Sequence, residues 1–324
     1  MNQRIGITLG DPCGIGPEIT VRTLSKYQKE KVKFVIYGNS SLLEETARQM
    51  DTSPFWKLEE HSTSNDSVIL KTVGPKPPLG GFKKEDLKSR VRATLAMLDA
   101  ASKDCLEGTL TCLVTGPIDK SVVRTLLPKF TGHTEYLAEK ASISKTVMML
   151  DNTELRVVLL TNHIALRDVA KNITEAQFES SVKITAKALS KWFRIDHPQI
   201  AVAGINPHAG EIVNDAEEDH ILKPVIKKLK SQGYCIEGPF AADSLFPKAR
   251  NGKWDLLIAA YHDQGLIAAK YPGIDKVVNV TLGLPYLRIS PGHGVAYDIA
   301  GKGLADTRSF ERALRIAITG KLEA

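Results

Sequence analysis

The chain has 324 residues, 43% hydrophobic and 25% charged, with a formal net charge of +6. That is room for one large or two ordinary domains of globular composition. It excludes a membrane-spanning chain, because no apolar run approaches the roughly 20 residues needed to cross a bilayer, and it argues against nucleic acid as a partner, because no basic run is interleaved with aromatics.

The elements follow in chain order. Arg4 to Leu9 reads as a first strand, followed by the loop Gly10-Asp11-Pro12-Cys13-Gly14-Ile15-Gly16-Pro17-Glu18 and a helix to Lys26. Pro17 suits the first turn of that helix. Lys33 to Tyr37 is a second strand and Ser40 to Met50 a helix, so strand and helix alternate as in a mainly parallel sheet. Val68 to Val73 is a strand, 74–81 a Gly/Pro excursion, and Glu85 to Leu106 a long helix with Val91, Leu95 and Leu98 at helical spacing. Leu110 to Val114 is a strand ending in Thr115-Gly116-Pro117-Ile118-Asp119-Lys120. Gly132-His133-Thr134 opens another helix. Val147 to Leu150 and Leu155 to Leu160 form a hairpin, 174–193 is largely helical, and Ile200 to Ala203 is a strand. A helix over Asp215 to Gln232 and a short strand at Tyr234 to Glu237 come next. Leu256 to Ala260 and Val277 to Val280 are strands, Ser290-Pro291-Gly292-His293-Gly294 is a loop, the segment 293–303 is a loop entering a short helix, and Ser309 to Leu322 closes the chain as a helix.

The N-terminus lacks the order of a signal peptide, so a cytoplasmic location is expected. Cys13, Cys105, Cys112 and Cys235 form no Cys-x-x-Cys pair and read as reduced thiols.

One pattern recurs. His163, His208 and His262 each sit just past an apolar run, at the strand end where open α/β folds gather functional groups. One such histidine is usually a satisfied polar residue; three are a candidate catalytic metal set with open positions for substrate. Asp243 and Asp263 are acids that could orient an imidazole or act as general base. His133 and Thr134 at a helix start suit an anion. Lys270, Asn279 and Arg288 add donors, Arg being the bidentate one. Gly14-Ile15-Gly16 is not GxGxxG, and no Walker lysine follows it.

These strings add up to a resemblance. GDPCGIGPE (10–18), TGPIDK (115–120), GHTE (132–135), TNHIALRDV (161–169), GINPHAGE (204–211), YHDQGL (261–266) and VNVTLGLPYLRISPGHGVAYDIAGKG (278–303) resemble the 4-hydroxythreonine-4-phosphate dehydrogenase family of pyridoxal phosphate biosynthesis. They run through essentially the whole chain. The last is also similar to the HGSAPDIAGKG cofactor loop of isocitrate and isopropylmalate dehydrogenases. The resemblance implies an α/β fold of two α/β/α domains with a cleft between them. One domain would be residues 1–130 with 267–324, on the cofactor side; the other, 131–266, would bind metal and dimerise.

The same resemblance implies a divalent metal (zinc, magnesium or cobalt), one per subunit, on His163, His208 and His262, shared across a homodimer interface. It places substrate on His133, Thr134, Lys270, Asn279 and Arg288, and NAD or NADP on His293, Gly294, Asp298 and Gly301. The general base stays open between Asp243, Asp263 and Lys270. The implied reaction is oxidation and decarboxylation of 4-phosphooxy-L-threonine to 3-amino-2-oxopropyl phosphate. Relatives with these motifs act on threonate or erythronate 4-phosphate, and a metal-dependent phosphohydrolase is the remote alternative. The chain departs from the pattern at Cys13, Thr131, Ile267 and Gly292, where alanine, proline, proline and aspartate are usual; none of these removes an implied metal ligand.

Overall fold

The structure is a computed structural model, and it describes residues 3–28, 31–76 and 81–322. Of the Gly/Pro excursion expected at 74–81, residues 77–80 lie outside that set. The chain divides into two compact units, Met1–Ser144 with Leu284–Thr319, and Lys145–Gly283 with Gly320–Ala324.

The first unit begins with β1 (Arg4–Thr8), α1 (Gly16–Leu24), β2 (Lys33–Gly38), α2 (Ser40–Gln49), β3 (Lys57–Leu58) and β4 (Val68–Thr72). It continues with α3 (Leu87–Leu106), β5 (Cys112–Thr115), α4 (Lys120–Arg124) and α5 (His133–Lys140). Helices α2, α3 and α4 start where a side chain satisfies free amides of the first turn. Asn39 accepts from Ser41 and Leu42, Asp86 from Ser89, and Asp119 from Ser121 and Val122.

The second unit contains β6 (Val147–Asp151), β7 (Arg156–Leu159), α6 (Val169–Asn172), α7 (Glu175–Phe193), β8 (Ile200–Ala203) and α8 (Lys223–Ser231). β9 (Ile236–Phe240), α9 (Ala242–Ala249), β10 (Leu256–Ala259), α10 (His262–Lys270) and β11 (Val278–Leu282) complete its elements. The chain then re-enters the first unit as β12 (Leu287–Pro291) and α11 (Arg308–Thr319).

In the first unit the strands lie in the order β3-β4-β2-β1-β5-β12, and every pairing is parallel. Strands covered on both faces read as continuous apolar runs; β1 is buried from Ile5 onward and β5 throughout. The strand order reverses between β1 and β5, and loops leaving such a point diverge and leave room for a ligand. Those two loops are the GDPCGIGPE and TGPIDK strings. In the second unit the order is β11-β6-β7-β10-β8-β9. There β6 is antiparallel to both neighbours, while β7, β10, β8 and β9 run parallel. Leu150, Leu159, Ala203, Leu257 and Phe246 share its core.

The structure corrects several expectations. The units part at 144/145 and 283/284, where the sequence reading divided the chain at 130/131 and 266/267. Two contacts explain this. Tyr136 of α5 stacks on Phe130 and donates to Asp99 of α3 at 2.7 Å, which keeps α5 with the first unit. β11 pairs along its length with β6, which keeps residues 267–283 with the second. The 293–303 segment is a run of turns with no helix. Ser290 and Pro291, expected in a loop, belong to the buried strand β12. The helix expected over 215–232 begins with a π-helical turn, Glu218–Leu222, and becomes regular at Lys223. All four cysteines are free thiols, and burial pushes Cys13 up to about 11.

Candidate active site

The second unit positions the three histidines on three different kinds of backbone. His163 lies in the loop after β7, and His262 is the first residue of α10. Their rings stand 5.5 Å apart, centroid to centroid. His262 Nδ1 meets Asp263 Oδ1 at 2.6 Å, and a carboxylate on one ring nitrogen is the usual second partner of a metal-binding imidazole. His208 lies in the short turn after β8, exposed, with φ of 53°. Among the described residues no group of three or more His, Cys, Asp or Glu side chains could hold a metal. One chain therefore pairs two of the three imidazoles and does not gather the third with them.

Asp243, near the start of α9, and Asp263 line one cavity of about 500 Å³ with Tyr261, Phe246 and Ile267. Lys270, at the end of α10, is not part of its wall. Asn279 sits on β11 opposite Leu150, its Oδ1 buried without a hydrogen-bond partner.

The first unit supplies the other anion candidates. Gly132 precedes α5 with φ of 157°, and His133 and Thr134 open the helix. His133 Nε2 is buried and has no hydrogen-bond partner. Burial, then the nearby Arg288 and Lys120 charges, holds this imidazole well below its ordinary 6.5, so it is neutral at pH 7. Arg288 on β12 donates to Thr115 Oγ1 from Nη2 at 2.6 Å and from Nε at 3.1 Å. Burial pulls the guanidinium down to about 10. An uncharged orphaned imidazole beside a desolvated guanidinium is a pocket short of negative charge.

The segment of His293, Gly294, Asp298 and Gly301 packs on α1 and the loop before it. Ile15 N donates to Val295 O at 2.9 Å. The buried Glu18 carboxylate accepts from Gly301 N at 3.0 Å and Ala305 N at 2.9 Å, and Arg22 donates to Ala305 O at 2.6 Å. His293 Nδ1 donates to Gly294 O, its Nε2 is buried and unpartnered, and burial lowers its pKa. Asp298 is exposed. The glycine string 14–16 owes its composition to packing: a Cβ on Gly16 would lie 1.8 Å from Leu9 O.

Sequence reasoning missed a cluster in this unit. Arg90 of α3 is buried and binds Asp11 bidentately, Nη2 to Oδ2 at 2.7 Å and Nε to Oδ1 at 3.2 Å. Tyr297 covers the guanidinium, 5.1 Å from its ring centroid, and donates to Asp11 at 2.8 Å. Its hydroxyl also lies 3.2 Å from Asp119. One phenol thus ties the first, second and last motif strings together. The helical spacing of Val91, Leu95 and Leu98 marked the buried face, but nothing local placed Arg90 at its edge.

Comparison with known proteins shows what the chain is similar to. The model of the family described as "Pyridoxal phosphate biosynthetic protein PdxA" matches residues 30–317. A protein of Sulfurihydrogenibium sp. (strain YO3AOP1) named 4-hydroxythreonine-4-phosphate dehydrogenase is 37% identical over 321 residues, covering 97% of each chain. The crystal structure of a 4-hydroxythreonine-4-phosphate dehydrogenase from Burkholderia phymatum superposes with a TM-score of 0.84 at 31% identity, over 99% of this chain and 98% of that one. An isocitrate dehydrogenase from Methylococcus capsulatus shares the fold at a TM-score of 0.52 and 13% identity, over 98% of this chain and 85% of that one.

Proposed function

This chain belongs to the PdxA family of pyridoxal phosphate biosynthetic proteins, and on that footing we propose that it is an NAD-dependent dehydrogenase acting on 4-hydroxythreonine 4-phosphate. In the reaction the C3 hydroxyl becomes a ketone and its C3 hydride goes to NAD. The resulting β-keto acid loses its carboxylate as carbon dioxide. The electron pair left behind takes a proton, giving 3-amino-2-oxopropyl phosphate.

The observation that carries this reading is the His163–His262 pair, 5.5 Å apart, with Asp263 on His262 Nδ1. Two imidazoles side by side, one of them oriented by a carboxylate, fit a divalent cation of the zinc, cobalt or magnesium kind. His163 and His262 of one subunit and His208 of a second would hold it. Bound there, the cation would supply Lewis acidity toward the substrate hydroxyl; His293, Gly294, Asp298 and Gly301 would hold NAD, which would supply the hydride acceptor.

The chain's own groups do the rest. His133, Thr134, Arg288, Lys270 and Asn279 would bind anionic oxygens of the substrate. Asp243, Asp263 and Lys270 are the groups available to take the hydroxyl proton. Homodimerisation is supported by the exposed apolar residues near the histidines. Ile164 and Leu166 follow His163, Ile212 follows His208, and Ile267 and Tyr271 follow His262; they are 41–86% exposed. A second subunit would cover them.

The test is a substrate panel on the full-length protein, with NAD and NADP, with and without chelator. NADH formation is expected with 4-phosphooxy-L-threonine, abolished by chelator and by His208→Ala while circular dichroism stays unchanged. Faster turnover of threonate or erythronate 4-phosphate would move the assignment to that substrate. Phosphate release without NAD would overturn the dehydrogenase reading.

A further inference from the structure

The loop carrying His208 holds an unfavourable backbone. His208, Ala209 and Gly210 have φ of 53°, 54° and 83° in succession. Outside glycine, a left-handed residue costs about 1–2 kcal/mol, and such strain persists only where the surroundings over-determine it. Here the surroundings are one carboxylate. Glu218, on the π-helical turn before α8, is 0% exposed. Its partners are groups of the loop. Oε1 accepts from the backbone amides of Ile205 and Asn206, each at 2.7 Å, and Oε2 accepts from Asn206 Nδ2 at 2.9 Å.

The loop closes on this carboxylate without room for side chains. A Cβ on Gly210 would stand 2.8 Å from a Glu218 oxygen, and one on Gly204 would stand 2.7 Å from Ala209 Cα. Gln264 ties the base of the loop to the start of α10. Its Nε2 donates to Gly204 O at 2.8 Å, and its Oε1 accepts from Ala260 N at 2.7 Å. A charge so fully removed from water is expensive to bury; a hydrophobic side chain could fill the space but could not accept three hydrogen bonds.

We propose that Glu218 is a positioning residue for metal binding: through the amides of 205 and 206 it fixes the left-handed turn that presents the His208 imidazole, without itself touching the metal. This rests on the metal reading of His208 above.

The experiment measures cobalt(II) affinity by equilibrium dialysis, and the visible spectrum of bound cobalt, on the full-length protein. The variants are wild type, Glu218→Gln, His208→Ala and the double variant. In Glu218→Gln an amide NH₂ faces the NH₂ of Asn206, and the three-bond cradle is lost. Cobalt binding should weaken about 10–100-fold, the typical cost of losing an outer-sphere partner, with an altered spectrum. Because Glu218 acts through His208, the double variant should bind no more weakly than His208→Ala alone. Unchanged affinity in Glu218→Gln, or losses that add in the double variant, would overturn the proposal. If Glu218→Gln does not fold, Asn206→Ala removes one arm of the cradle and should show the same non-additivity. Wild type that binds no cobalt, or His208→Ala that binds like wild type, overturns the metal reading and this proposal with it. Tight wild-type binding with an unaffected Glu218→Gln overturns only this one.

Discussion

Replacing Arg90 with methionine tests whether the Asp11–Arg90–Tyr297 cluster holds the first unit together. The methionine keeps much of the aliphatic stem but leaves the Asp11 carboxylate, 2% exposed, with only Cys13 N at 2.9 Å and Tyr297 Oη at 2.8 Å. Breaking a buried ion pair from one side costs about 3–5 kcal/mol, because the remaining charge is desolvated and unpaired. For a unit of this size that lowers Tm by roughly 6–20 °C, read by scanning calorimetry as a shift in the first unit's transition. Tyr297→Phe removes hydrogen bonds but leaves the charges paired, so it should cost about 1–2 kcal/mol. Asp11→Asn combined with Arg90→Met removes both charges and should be less destabilised than the two single losses summed. A loss below about 1 kcal/mol in Arg90→Met would refute the reasoning, since it would mean that Asp11 finds water or another cation.

Gly16→Ala should destabilise by about 3 kcal/mol, because its Cβ would meet the Leu9 carbonyl, whereas a Cβ on Gly294 meets nothing within 4 Å and Gly294→Ala should leave urea midpoints unchanged. Equal midpoints for the two variants would contradict the close approach of α1 to β1. His133 stays neutral in the fold below the 6.5 at which the unfolded chain protonates. The unfolded state therefore binds more protons in that window, and stability falls as pH drops below about 6.5 toward the lowered folded pKa. His133→Asn should flatten the fall in Tm between pH 7.5 and 5.5; an unchanged slope would place the imidazole in water. Leu166→Glu and Ile212→Glu, at positions 72% and 74% exposed, should shift sedimentation toward monomer and cut metal binding without changing circular dichroism. A dimer that persists and still binds metal would exclude these faces from the interface.

The sequence determined the elements whose cause is local. Apolar runs bounded by glycine, proline and polar clusters marked β1, β2, β5, β8 and β10, and helical spacing marked α3. Those signals live within a few residues and survive without tertiary context. The motif strings likewise placed the chain in a family and named His163, His208 and His262 as members of one set. The tertiary structure decided which of them meet. His163 and His262 stand 99 positions apart in the chain, and only the parallel pairing of β7 with β10 brings their strand ends side by side. It also decided that β12, not a loop, carries Ser290 and Pro291, and that charged Arg90, Glu18 and Glu218 are buried. Composition places such residues on the surface. Their burial depends on backbone amides and on partners far along the chain in Asp11, Gly301 and Ala305, a contact with no local pattern to announce it.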